Sequence, residues 1–335
     1  MTSFTTSAPG RLCLFGEHQD YLGLPVIAMA MNRRCHLEWT PRTDTRVVIT
    51  SEELGEVGGF ELAALDQVKA ANPFEVVVAG LMAESGGTPA GMDIHIQSDI
   101  PIQAGCSSST ALLTAWTAGW SKAMNVAHST QELVRRCHHA EVLAFDGAGG
   151  DMDHFACAHG GLHRFGAGVP ESLGSLPGTF VLGDSGQPKD TQGHLARCKD
   201  ARLPLMGQLD SPPIDWSETQ RVLAEGTRVN RDLETQWAAH MREGHVDGAA
   251  MGQALTRHHA VLRDVLGLST PRIEAMLDAA LAAGAWGGKI NGSGGGGCMF
   301  AHVPDQRVEP VIEAMLAAGA KGAWAVTMDE GVRHG

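Results

Sequence analysis

Positive charge is scarce in this chain. Lys and Arg number 25 against 38 Asp and Glu, a formal charge of −13, and a field of that sign repels phosphate backbones and anionic membrane surfaces. Nucleic acid and membrane are therefore not expected as partners. Long apolar runs are missing too: 25–31 and 76–83 fall well short of the roughly 18 residues that a spanning helix needs. The first ten residues, Met-Thr-Ser-Phe-Thr-Thr-Ser-Ala-Pro-Gly, have neither a basic n-region nor an apolar h-region, so the expected location is cytoplasmic. No C-x-x-C pair occurs among the seven cysteines (Cys13, Cys35, Cys106, Cys137, Cys157, Cys198, Cys298), which read as reduced, mostly buried thiols. Gly-x-x-x-x-Gly-Lys-Ser/Thr is absent, so a nucleotide site of the P-loop kind is excluded. There is no internal repeat.

What is present is a folded composition, 43% hydrophobic and 19% charged. At 335 residues the chain exceeds the roughly 250–300 residues at which single cores stop growing, so two lobes are expected. The boundary is placed near 170–180, giving an N-terminal unit 1–175 and a C-terminal unit 176–335. Met92, Ile94 and Ile96 alternate with polar residues and read as a half-buried strand. After the turn-rich stretch Ile100–Ser109, helical periodicity runs through Leu112, Leu113, Trp116 and Trp120. Ser129 with Glu132 reads as a capping box that opens a second helix reaching to about Phe145. Short strands are expected at Gly161–Phe165 and Thr179–Leu182, and a mostly helical stretch from about 190 to 283. The segment Trp286–Asn291, a run of glycines, the strand-like Cys298–Val303, a helix near 306–318 and the segment Ala323–Met328 close the chain.

Four constellations suit chemistry. In Pro101–Ser109, small residues before a helix allow backbone N–H groups to cradle an anion, although serines in that position also serve as plain caps. Lys289–Cys298 contains Gly292, Gly294 and Gly297 in the Gly-x-Gly-x-x-Gly pattern. A strand follows it rather than a helix, so it is not a dinucleotide fingerprint. Its backbone is left free to pass close to a phosphate loop or to another strand. Arg11, Glu17, His18 and Asp20 gather hydrogen-bonding groups around a glycine turn and suit a polyhydroxylated ligand. Asp151 and Asp153 follow the glycines at 147–150 and could supply a general base or a metal ligand. His154, Cys157, His159 and His163 match no metal-ligand spacing, and they and the pairs His138/His139 and His258/His259 read as core or turn histidines.

In this order, three motifs resemble the superfamily of galactokinase, homoserine kinase, mevalonate kinase and phosphomevalonate kinase (GHMP). They are Ala8-Pro-Gly-Arg-Leu-Cys-Leu-Phe-Gly-Glu-His-Gln-Asp-Tyr21, Pro101-Ile-Gln-Ala-Gly-Cys-Ser-Ser-Ser-Thr-Ala-Leu112 and Lys289-Ile-Asn-Gly-Ser-Gly-Gly-Gly-Gly-Cys298. The Gly-Glu-His-x-Asp-Tyr core and Met-Asp-x-Phe at 152–155 look like the galactokinase branch. The resemblance implies an α+β fold of two lobes, a mixed N-terminal sheet with a left-handed βαβ unit and a C-terminal α+β lobe, with the active site between them. It also implies transfer of a phosphoryl group from ATP, with Mg2+, to the C1 hydroxyl of a free sugar related to galactose, by a monomer or homodimer. Arg11 and Asp153 would be catalytic, and Glu17, His18, Gln19, Asp20 and Asp153 would bind the sugar. Ala104, Gly105, Cys106, Ser107, Ser108 and Ser109 would cradle the phosphates, and Ser108 and Glu141 would hold the metal. An inactive sugar- and ATP-binding regulator, or a kinase of a non-sugar alcohol, are the alternatives. Two departures from the galactokinase pattern stand out. Gln19 replaces a threonine, so its longer amide is expected to reach the sugar, and the C-terminal tyrosine that meets a sugar hydroxyl is absent, Tyr21 being the sole tyrosine.

Overall fold

The computed structural model describes residues 2–52, 55–65, 70–166 and 168–335. Two sheets organise the chain. The larger is built on β1 (Phe4–Phe15), β2 (Val26–Pro41), β3 (Arg46–Ser51), β4 (Gly55–Glu61) and β5 (Met92–Ser98), to which β6 (Leu162–Phe165) and β7 (Glu171–Ser172) attach. The smaller holds β8 (Thr179–Asp184), β9 (Gly287–Ile290), β10 (Cys298–Val303) and β11 (Gly322–Val326), in the order β11-β8-β10-β9. A last short strand, β12 (Arg333–His334), returns to the larger sheet and pairs antiparallel with β1, whose other edge pairs with β2. The sheet is mixed, since β3 lies parallel to β5 while its other ladders are antiparallel. The alternation read at Met92, Ile94 and Ile96 belongs to β5, where Met92 and Ile94 are buried and Ile96 partly so.

Helices carry the site. The helix Ser108–Ala123 buries Leu113, Trp116 and Trp120 against the large sheet. Thr130–Glu141 starts at Ser129, whose hydroxyl accepts from the Glu132 N–H at 3.2 Å. It stops at Glu141 rather than near Phe145, because residues 143–145 tighten into a 3-10 turn closed by Asp146 at φ 51°. Met152–His159 is the third. In the second lobe Thr191–Arg202, Glu218–Arg242, Gly248–Asp264 and Pro271–Ala282 fill the stretch read as helical, and Val308–Ala317 completes the set. One apolar core runs through both sheets, joining Phe15, Trp237, Leu255, Phe180 and Phe300. All seven cysteines are free and buried. Among the described residues, no helix is long and apolar enough to cross a membrane.

Gly119 shows how tightly this core is cut. Trp39 packs against the helix there, donating its indole N–H to Thr6 Oγ1, and a Cβ at position 119 would sit 2.0 Å from its ring. Alanine gains about 1 kcal/mol of helix propensity over glycine. Forcing apart a fully buried tryptophan costs about 1–3 kcal/mol or more. Gly119→Ala should therefore lower stability, read as a reduced urea midpoint at unchanged m-value.

Candidate active site

Three backbone segments meet in one cavity of about 370 Å³. The loop before the helix Ser108–Ala123 has left-handed residues at Gln103 (φ 53°), Gly105 (φ 84°) and Ser107 (φ 60°). Its carbonyls are held from behind: Ala104 O accepts from Cys298 N, Cys106 O from Arg11 N, and Gly105 O from Arg11 Nη1 and Asn291 Nδ2. With those carbonyls occupied, a loop of small residues in left-handed turns before a helix start is of the kind suited to an anion. Ser107 occupies the N-cap position, but its hydroxyl caps no backbone N–H of the helix.

The glycine-rich segment 292–297 joins β9 to the antiparallel β10, which disposes of a dinucleotide fold. Of the two close approaches expected, the neighbour is the phosphate-type loop: a Cβ on Gly292 (φ 80°) would lie 2.7 Å from Gly105 Cα. Asn291 ties the segments together. Its Oδ1 accepts from Cys13 N at 3.0 Å, and its Nδ2 donates to Arg11 O at 3.2 Å as well as to Gly105 O at 2.9 Å.

Arg11 and Asp153 are brought together: Nε and Nη2 each lie 2.8 Å from Asp153 Oδ1. Burial pushes the Asp153 carboxyl up, but the charge and hydrogen bond of Arg11, with His154 and the Ser107 hydroxyl, together hold the group below the usual carboxylate range. It is thus ionised at neutral pH. Asp151, two residues away, sits at the helix start without capping it and does not line the cavity.

The first motif splits by function. Asp20 faces the cavity beside Gly150, where any Cβ would strike its carboxylate at 2.1 Å. Burial, then the nearby Asp153 charge, raise its pKa to about 6. Glu17 borders the cavity, but its Oε2 takes a 2.6 Å bond from Lys289, an ion pair in which both side chains are at most 2% exposed. His18 is buried and its pKa falls to about 3 through burial and Arg202, leaving the imidazole neutral. Ser293 O, 3.2 Å from Nε2, can only accept, so Nε2 carries the proton. Nδ1 accepts from Tyr21 Oη at 2.8 Å, and Arg202 Nη2 donates to Tyr21 Oη at 2.6 Å. Both ring nitrogens are therefore occupied, and His18 shapes the wall rather than offering a free donor.

Gln19 departs from expectation. It is 0% exposed, donates to Pro25 O at 3.3 Å and does not line the cavity. The chain turns here, with Gln19 N bonded to Gly16 O and His18 at φ 62°, and the Gln19 amide is bonded to Pro25 O while His18 and Asp20 line the cavity.

Glu141, at the end of its helix, reaches the cavity. Thr110 Oγ1 donates to its Oε2 at 2.7 Å, and His154 Nε2 lies 2.9 Å away. Burial opposes its charge, but these partners prevail and keep it ionised below the usual range. Ser108 lines the same wall. Among the described residues no group of three or more His, Cys, Asp or Glu is set to hold a metal ion, and His159 and His163 pack on Phe155 and Phe165. Sequence reading misses Lys189, Arg202, Thr110 and the buried role of Lys289.

These segments coincide with what the chain matches. Models for the N terminal domain of GHMP kinases and the GHMP kinases C terminal region match residues 72–161 and 242–323, and a galactokinase galactose-binding signature matches residues 2–41. The chain belongs to the GHMP kinase superfamily. It is a GHMP-type small-molecule kinase, and this superfamily uses ATP. The mevalonate kinase of Thermococcus sibiricus is 28% identical over 90% of each chain, and the galactokinase of Mycobacterium bovis 26% over 91% of this chain and 90% of its own. In fold, this GHMP kinase is similar to Lactococcus lactis galactokinase solved with galactose, with a TM-score of 0.83 at 19% identity over 99% and 95% of the two chains. It is also similar to Methanococcus jannaschii mevalonate kinase, with a TM-score of 0.78 at 18% identity over 97% and 98%. The two-lobed α+β GHMP architecture expected from the motifs is the one observed.

Proposed function

We propose that this GHMP kinase phosphorylates the C1 hydroxyl of a neutral sugar related to galactose. The observation that carries the reading is the acidic acceptor end of the cavity, where Asp20 and Asp153 stand close enough for one to raise the pKa of the other. Carboxylates accept from hydroxyls and repel an acid. Arg11 is paired with Asp153 and Lys289 with Glu17, Arg202 does not line the cavity, and the remaining lining cation, Lys189, lies against Gly105 and Ser293 rather than beside Asp20, so the Asp20 end favours hydroxyls over a substrate carboxylate. The galactose-binding signature over residues 2–41 points the same way. A second reading, phosphorylation of mevalonate, rests on the 28% identity to mevalonate kinases over 90% of the chain.

Asp153 would orient the acceptor hydroxyl and take its proton, Arg11 would hold Asp153 and lend charge, and Asp20 would accept from a second hydroxyl. Phosphoryl transfer demands positioning and charge neutralisation more than covalent help, which matches this set. Glu141 and the Ser108 hydroxyl are oxygen donors fit for a hard cation, so they would hold Mg2+, which supplies charge neutralisation between the phosphates. Ser108→Ala should raise the Mg2+ concentration for half-maximal rate by about tenfold. A titration of rate against free Mg2+ that is unchanged would remove Ser108 from this role.

The deciding experiment is ADP release with galactose, N-acetylgalactosamine, L-arabinose, L-fucose, glucuronate, galacturonate and mevalonate. A neutral sugar should rank first by kcat/KM. Mevalonate ranking first would establish the second reading, and binding of sugar and ATP without turnover would identify a regulator. Gln19→Thr, with its side chain away from the cavity, should leave the ranking of sugars as it is.

A further inference from the structure

Among the described residues, Lys189 is the one cation of the cavity that none of these steps uses. It follows β8 on the stretch leading into the helix Thr191–Arg202, and its ammonium donates to Ser293 Oγ at 3.0 Å. It also reaches within 2.9 Å of the point a Cβ on Gly105 would occupy. Its charge is thus wedged between the anion-type loop and the glycine-rich segment, on the cavity wall shared with Arg11, Asp153 and Ser107. Among the described residues no carboxylate lies within ion-pair distance of it, whereas Arg11 and Lys289 each have one. Lys189 is only partly exposed, and a charge partly withdrawn from water without a counter-ion is stabilised when an anion supplies one. Burial, then the neighbouring Arg11 charge, lower its pKa, as expected for an ammonium that lacks that anion.

We propose that Lys189 is a further catalytic residue that binds the γ-phosphoryl group and follows it through transfer. This rests on the kinase reading, with the phosphates on the 104–109 loop. During transfer a bond forms from the acceptor oxygen to the γ-phosphorus, and the bond to the β,γ-bridging oxygen breaks. ADP leaves with that electron pair, and the acceptor proton passes to Asp153 and on to water. Charge on the equatorial oxygens lies on the Lys189 and Arg11 side throughout. A bound acceptor anion is the lesser fit, because Lys189 sits against Gly105 and Ser293 while the acceptor end is marked by Asp20.

Two measurements on Lys189→Met and Lys189→Arg test this. By calorimetry with Mg2+, the β,γ-imido analogue of ATP should lose tenfold or more in affinity for Lys189→Met, with ADP within twofold of the unaltered protein. Lys189→Arg should recover most of the loss, since a point charge is what is needed. With the best sugar, kcat of Lys189→Met should fall about 10²–10³-fold, the usual effect of removing one preorganised charge donor, with little change in acceptor KM. Equal effects on the analogue and ADP, no effect on either, or a rise in acceptor KM at unchanged kcat would overturn the assignment. If the unaltered protein released ADP with no sugar, the sugar reading would fail while the nucleotide measurement still decided the role of Lys189.

Discussion

Asp153→Asn should reduce kcat by about 10²–10⁴-fold, the usual worth of a positioned proton acceptor, while ATP affinity stays nearly unchanged. The amide keeps the shape and one oxygen for Arg11, but it can no longer take a proton. The pair already places 2.8 Å contacts on a single oxygen, Oδ1, leaving Oδ2 to meet the acceptor. Because Arg11 and its neighbours hold the carboxyl below its usual range, Asp153 in the proposed role would be a weak base that directs the hydroxyl before it receives the proton. Asp151→Asn serves as the control and should cost less than threefold, since Asp151 does not line the cavity. Single-turnover rates and ATP titrations of both variants check the assignment. Activity lost in Asp151→Asn and kept in Asp153→Asn would transfer the role to the neighbouring acid.

Asp20→Asn should separate function from stability. The Asp20 carboxyl titrates near pH 6 in the folded chain, against 3.8 for an ordinary aspartate. Between those values the folded state holds the extra proton, so stability from this group is complete at low pH and lost as pH rises through about 6. A tenfold difference in proton affinity between folded and unfolded chain is worth about 1.4 kcal/mol, so the upper bound on the strain at pH 8 is about 3 kcal/mol. Asp20→Asn should accordingly be more stable than the parent at pH 8 and no more stable at pH 4, as read by thermal melts at the two pH values. Its kcat/KM should fall about 10²-fold, the loss of a charge-assisted bond to a hydroxyl. In the parent protein kcat/KM should decline below about pH 6 as the carboxylate is protonated. That limb should vanish in Asp20→Asn. A limb that persists there would assign the titration to another group.

Much of this is legible from short-range pattern. Strand alternation locates β5, and the three glycine- and serine-rich motifs identify the segments that converge on the cavity. Their chemistry is backbone chemistry, which small residues announce directly. What escapes depends on distant partners. Lys189 and Lys289 look like any surface lysines, and only the fold sets one against Ser293 and buries the other against Glu17. Arg202 meets Tyr21 and the His18 carbonyl from the far lobe, a contact no local pattern contains. Gln19 is misplaced for the opposite reason: proximity in sequence to His18 and Asp20 implies a shared face, but where the chain turns at His18 the Gln19 amide bonds to Pro25 O instead. The helix ending at Glu141 falls short of its apolar pattern because a 3-10 turn continues the same spacing.

The returning strand β12 imposes an order on assembly. Arg34, in β2, bonds to Asp329 Oδ2, Glu330 O and Gly331 O, and Thr6 and Ser7 pair with His334 and Arg333. The rest of that sheet is complete by Ser172, so during synthesis at about 5–20 residues per second the edge of β1 stays open for roughly 8–30 s before its partner exists. An open edge is a template for pairing with other chains. The nascent chain is therefore most exposed to misassociation while its second lobe is being made, and loss of the last few residues would leave that exposure permanent.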